Sequence, residues 1–201
     1  MGAHRLFRGT GAHLQPGDRL TLRDALYSTL LGSDNVSALT VASFVGRDLV
    51  SRRGGGAPIA AFVAEMNNLA RSLRMAKTHF TAPHGLDAGN SVSTSCALDM
   101  ALLGVYSMQN PAFCYIVSQA SRRIEVQSQA KGRTMYDISN NNRLMSASGV
   151  DGIKAGTSRA AGPCLLLSVT RNAISRRSPQ TGTEVIYPQR MICLLYTSPS
   201  P

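Results

Sequence analysis

An α+β fold, with helices packed on one antiparallel sheet, is what this sequence predicts. Up to Ser118 apolar residues recur at helical spacing, and afterwards short β-rich stretches take over at 122–127, 150–155, 164–170 and 190–196. Gly, Asn, Ser and Pro separate those stretches, and no segment repeats another.

The elements follow in order. Residues 1–20 are Gly-rich and loop-like, with a turn signalled by Pro16-Gly17-Asp18. Thr21 and Asp24 make a capping arrangement ahead of Leu22, Ala25, Leu26 and Leu30, which share one helical face. Ser33 and Asp34 are N-cap residues for a second helix that carries no charge over residues 35–46, apart from the cap. It is therefore expected to be buried all round, in the middle of a helical layer. Residues 51–58, with three consecutive glycines, form a flexible connection to a helix faced by Phe62, Met66, Leu69 and Leu73. Residues 76–94 read as extended and irregular. Ser95 opens a helix through Ala97, Met100, Leu103 and Tyr106, and Pro111 suits the first turn of a short one ending near Ser118. Tyr196-Thr197-Ser198-Pro199-Ser200-Pro201 does not continue a strand, so one domain over residues 1–195 is expected, with 196–201 a tail foreign to it.

Composition narrows the function. A 43% hydrophobic and 16% charged chain of 201 residues is globular in character. Its net charge of +10 suits an anionic neighbour such as nucleic acid, anionic lipid or an acidic polymer. Basic residues are scattered, with nothing longer than the pairs Arg52-Arg53, Arg122-Arg123 and Arg176-Arg177, and Trp is lacking, which argues against nucleic acid. Cys96, Cys114, Cys164 and Cys193 stand far apart in apolar stretches and are expected to be small buried hydrophobes, neither paired nor metal-bound. His4, His13, His79 and His84 lack metal-ligand spacing, so no metal and no cofactor are expected. No apolar run is long enough to cross a bilayer, and the start lacks the apolar centre of a signal peptide.

Two local signals carry chemistry. Ser33-Asp34-Asn35 heads the second helix, and Asp151-Gly152-Ile153-Lys154-Ala155-Gly156-Thr157-Ser158 places a Lys-x-Gly on a strand. Alone, the first reads as a helix cap and the second as a surface lysine. Together, about 120 residues apart, they match the order of the S-x-N and K-T-G elements of penicillin-recognising enzymes. The text around them agrees in sequence order: Leu14-Gln15-Pro16-Gly17-Asp18-Arg19-Leu20-Thr21, Pro83-His84-Gly85-Leu86-Asp87, Ser95-Cys96-Ala97-Leu98-Asp99-Met100-Ala101, Asn110-Pro111-Ala112-Phe113, Asn140-Asn141-Asn142-Arg143-Leu144 and Ala160-Ala161-Gly162. On these residues the chain resembles the serine-type D-alanyl-D-alanine carboxypeptidases, the low-molecular-mass penicillin-binding proteins, over residues 9–170 and as far as 195.

That resemblance implies part of a β-lactamase/transpeptidase-like fold. It implies hydrolysis of the terminal D-alanine of the peptidoglycan pentapeptide stem through an acyl-enzyme, and binding of β-lactam antibiotics. It also implies a parent protein in the periplasm or cell envelope. By the same resemblance, an S-x-x-K pair supplies the nucleophilic serine and its activating lysine. Ser33 relays a proton, Asn35 positions substrate, and Lys154 attracts the substrate carboxylate and favours the neutral form of the neighbouring lysine. Residues Ala155, Gly156 and Thr157 form an edge that pairs with the peptide, with the Thr157 N–H as an oxyanion donor.

The sequence departs from the family twice. Ala155 stands where the family has Thr, which removes a hydroxyl. No S-x-x-K lies upstream of Ser33; the one such string, Ser128-Gln129-Ala130-Lys131, is downstream in a strand-to-loop region and reads as chance. The nucleophile is thus expected to lie outside this chain, which would be a fragment truncated at both ends and inactive as it stands. His84 belongs to a segment that is structural in the family. Two rivals remain. A class A β-lactamase needs a deacylating glutamate that Glu65, Glu125 and Glu184 do not fit, and a pseudoenzyme would bind cell-wall peptide without cutting it.

Overall fold

The computed structural model describes residues 12, 14–86, 92–158 and 161–196. Its elements are α1 (Leu22–Leu30), α2 (Asn35–Arg53), α3 (Pro58–Ser72), α4 (Ala97–Ser107), α5 (Pro111–Val117), β1 (Ser121–Ser128), β2 (Gly132–Ser139), β3 (Val150–Ser158), β4 (Gly162–Arg177) and β5 (Glu184–Tyr196). Helices come first and strands afterwards, as the sequence predicts.

Side-chain oxygens at the caps define several helix starts. Thr21 accepts the Asp24 N–H at 3.1 Å and opens α1. Asp34, rather than Ser33, opens α2, accepting the Ser37 N–H at 3.2 Å and the Ser37 hydroxyl at 2.6 Å. Asn110 opens α5 by accepting the Ala112 and Phe113 N–H groups, with Pro111 in the first turn. α2 runs to Arg53, so the flexible connection is only the glycine stretch itself, whose three residues all have positive φ.

α2 is not buried all round. Ser37, Ala42 and Gly46 are buried, while Phe44 is 60% exposed. Packing from α1 and α3 covers one side of it. A segment without charge tolerates burial, but its Ala, Ser and Thr residues do not demand it. Gly46 marks the closest approach: a Cβ there would lie 2.0 Å from the Pro58 carbonyl oxygen. The irregular stretch after α3 is tied down by Asp99, which accepts the Lys77 N–H and the Thr78 hydroxyl, each at 2.8 Å. His79 and Thr94 bridge its two ends.

The strands form two sheets, not one. β1 and β2 make an antiparallel hairpin, and β3, β4 and β5 make a separate antiparallel sheet in that order. β2 carries no apolar run; only Ile138 on it is buried, so its sequence gave no strand signal. β5 includes Tyr196, paired with Cys164, so the sheet runs one residue into the segment expected to leave the fold. Residues 197–201 lie outside the described ones.

Each sheet has its own core. Tyr27 of α1 and Leu31, the residue that ends it, pack on Ile124, Val126 and Ile138 of the hairpin. Met108 and Val117 pack on Ile153 and Leu166 of the larger sheet. Full burial of such a side chain contributes about 1.5–3 kcal/mol. α1 and α5 touch each other and join the two layers. The four cysteines are free and half-buried rather than fully buried, with Cys114 packed against the second core. Among the described residues no helix is long and apolar enough to cross a membrane.

Candidate active site

The turn between α1 and α2 and the edge strand β3 converge on one point. Ser33 sits in that turn with φ of 54°, a left-handed conformation that a non-glycine residue adopts only when its surroundings hold it there. They do so from both flanks. The Asn141 N–H and side-chain amide donate to the Leu31 and Gly32 carbonyls at 3.0 and 3.2 Å. Asp34, buried to 3% exposure, accepts from Ser28, Val36 and Ser37.

β3 is fixed just as firmly. Asn142 donates to the Gly152 carbonyl at 3.2 Å, and Ile153 is buried in the second core. Strand alternation then turns Lys154 to the opposite side, toward Ser33. The Lys154 ammonium donates to the Ser33 hydroxyl and to the Ala155 carbonyl. The Ser33 hydroxyl in turn donates to the same carbonyl at 2.8 Å. Burial pushes the Lys154 pKa down from 10.5 to about 8. No carboxylate among the described residues forms an ion pair with it. The site therefore holds an amine that can shed its proton near neutrality, against a hydroxyl that both accepts and donates.

Ser33, Asn35, Lys154, Ala155, Gly156 and Thr157 all line one cleft of about 360 Å³. Among the described residues β3 pairs with β4 alone, which leaves its other edge, along the cleft, to an extended chain. His84 also lines the cleft, although its segment reads as structural. Its Nδ1 accepts the Leu86 N–H at 3.3 Å, and burial lowers its pKa. Asp87 of the same motif lies outside the described residues, as does Ala160 of the Ala160-Ala161-Gly162 motif. Ser128 is elsewhere: it closes β1 opposite Gly132, 7% exposed, in the other sheet.

Three cleft residues, Thr29, Ala38 and Cys164, were missed in the sequence. Thr29 stands in the last turn of α1, ahead of the Ser33 turn, and among the described residues its buried hydroxyl has no hydrogen-bond partner. Cys164 reaches the cleft through its pairing with Gly156, for which the sequence holds no signal. Among the described residues no group of three or more His, Cys, Asp or Glu could hold a metal ion.

Comparison with known proteins points the same way. A sequence model of peptidase family S11, described as D-alanyl-D-alanine carboxypeptidase, matches residues 6–178. The D-alanyl-D-alanine carboxypeptidase of Streptomyces sp. strain K15 is 32% identical over 162 residues, covering 80% of this chain and 54% of that protein. The D-alanyl-D-alanine carboxypeptidase DacC of Escherichia coli is 32% identical over 162 residues, covering 79% of this chain and 35% of that one. The chain thus spans between about a third and about half of these relatives. The crystal structure of the Streptomyces K15 DD-transpeptidase superposes with a TM-score of 0.73 at 26% identity, over 95% of this chain and 66% of that one.

Proposed function

This chain belongs to the D-alanyl-D-alanine carboxypeptidase family, and we propose from that membership that its cleft is the S-x-N and K-x-G half of a serine DD-peptidase site. The parent activity is removal of the terminal D-alanine from the peptidoglycan pentapeptide stem through an acyl-enzyme, in the cell envelope. β-lactam antibiotics are acylating analogues of the same substrate. One observation carries the reading: the Ser33 hydroxyl and the Lys154 amine, 121 residues apart in sequence, hydrogen-bond each other in the wall of the cleft.

In the proposed chemistry a serine of an S-x-x-K pair attacks the carbonyl of the D-Ala-D-Ala bond, and its proton passes to the lysine of that pair. Ser33 carries that proton to the departing amine, and Lys154, half-neutral near pH 8, sets the charge around it. The protonated form of Lys154 attracts the substrate carboxylate. Asn35 orients the peptide through its amide, and the open edge at Gly156 and Thr157 pairs with its backbone, offering the Thr157 N–H to the developing oxyanion. Ala155 leaves the carboxylate without a threonine hydroxyl. The strand and cleft geometry support these roles.

A class A β-lactamase is the weaker reading. Glu65 pairs with Arg53, Glu125 with Arg133, and Glu184 accepts from Ser175, and none of the three lines the cleft.

The 201 residues carry no S-x-x-K upstream of Ser33, so the chain as given is proposed to bind without acylation. Fluorescent penicillin tests this on the chain and on a version extended upstream with a relative's S-x-x-K segment. Covalent labelling of the extended form alone is expected. Failure of the extended, folded protein to label would reject the assignment and leave a peptide-binding pseudoenzyme. Stoichiometric labelling of the chain itself would show a nucleophile within these residues.

A further inference from the structure

The larger sheet does not end where its three strands end. β3 stops pairing with β4 at Val150 opposite Val169, yet β4 and β5 remain paired from Thr170 opposite Arg190 to Arg177 opposite Glu184. Residues 171–189 therefore leave the body as a two-stranded arm, and residues 171–177 and 184–188 are all exposed. A two-stranded ribbon with both faces in water is marginally stable at best. This one also displays apolar side chains where a free surface ribbon carries polar ones. Ile186 is 68% exposed, and Ile174, Val185 and Tyr187 are exposed as well.

The register sorts the arm into faces. Ile174 opposes Tyr187, and Arg176 opposes Val185; two residues apart on each strand, these pairs share one face. A shallow depression between Ile174, Arg176, Tyr187 and Gln189 confirms that they are neighbours. Among the described residues Arg171 and Arg176 form no ion pair, while Arg177 lies on the other face, opposite Glu184, and donates to the Gly182 carbonyl at 2.9 Å. The arm's only acidic residue is Glu184. Aliphatic side chains, a tyrosine and unpaired arginines on one narrow element are the combination that suits an apolar layer lying beneath a negatively charged one.

We propose that the arm formed by residues 171–189 docks on an anionic lipid surface. Ile174, Val185 and Tyr187 enter the headgroup boundary while Arg171, opposite Gln189, and Arg176 meet the phosphates. An acidic polymer would satisfy the arginines but leave the apolar residues in water, which is why lipid is the occupant chosen. The arm lies away from the cleft, and its docking does not depend on acyl transfer there.

Flotation of the full chain with vesicles tests it. Binding is expected to vesicles of phosphatidylglycerol and phosphatidylcholine in equal parts, to fall as salt is added, and to be lost on phosphatidylcholine alone. Changing Arg171 and Arg176 together to Gln should weaken it by on the order of thirtyfold, at about one kcal/mol per charge. Ile174→Ser with Tyr187→Ser should weaken it by roughly tenfold or more through lost apolar burial. In the otherwise unaltered chain, Tyr187→Trp should show blue-shifted emission on anionic vesicles, a readout free of any folding defect in the multiple variants. The proposal is overturned if anionic vesicles do not bind, if the arm variants bind as the parent does, or if the tryptophan emission does not move. It is equally overturned if polyglutamate binds as tightly as vesicles and the Ile174/Tyr187 double variant is unimpaired, which would make the partner a soluble polyanion.

Discussion

Replacing Lys154 with methionine should make this chain more stable at pH 7, by an amount that disappears in alkali. The amine is buried and its pKa falls from 10.5 to about 8, because burial penalises the charged form. A shift of that size corresponds to about 3 kcal/mol of differential stability. Methionine keeps most of the apolar stem but gives up the contact with Ser33, worth about 1 kcal/mol, so a net gain of about 2 kcal/mol is expected at pH 7. The sign follows from proton counting. Between pH 8 and 10.5 the unfolded lysine keeps its proton while the folded one has lost it. The unfolded chain then binds more protons, and the unmutated protein gains stability as pH rises through that window. Below it the penalty is felt in full; above it both states are neutral and the penalty is gone. Urea midpoints by circular dichroism at pH 7, 9 and 10.5, on both proteins, give the difference directly, and other titrating groups cancel. A Lys154→Met variant that is less stable at pH 7, or whose advantage does not shrink by pH 10.5, would refute the claim that burial dominates this lysine. The same penalty is what a site accepts when it needs an amine near its neutral form.

Three further outcomes are expected. Gly46→Ala forces a methyl group against the Pro58 carbonyl and should cost about 1–3 kcal/mol, read as a lower urea midpoint. Asp34→Ala removes the cap of α2 and strands the hydroxyls of Ser28 and Ser37; a loss of about 1–3 kcal/mol is expected, with Asp34→Asn retaining part of it. In the chain extended with an S-x-x-K segment, Lys154→Ala should slow penicillin acylation by roughly a hundredfold or more, while Ser128→Ala leaves the rate unchanged. Equal rates for Lys154→Ala and the parent would remove the K-x-G assignment, and a slowed Ser128→Ala would promote that serine.

Local chemistry alone fixed much of the order of elements. Thr21 caps the helix it was expected to cap, Pro111 starts α5, and Lys154 rides a strand, because each signal acts over a few residues. The motif order Ser33-Asp34-Asn35 then Lys154-Ala155-Gly156 was likewise legible, as was membership in a family of serine peptidases. Other features depended on partners distant in sequence. β2 is a strand only because β1 lies beside it, and α2 is half-exposed because packing covers one side of it. Cys164 reaches the cleft through a register with β3 that no window of sequence encodes. The contact between Ser33 and Lys154 arose the same way. The sequence supplied both residues, but their meeting depends on Asn141 and Asn142, which hold the turn and the strand together across more than a hundred residues. Burial, and with it the lowered pKa of Lys154, is a property of that assembled wall rather than of any residue in it.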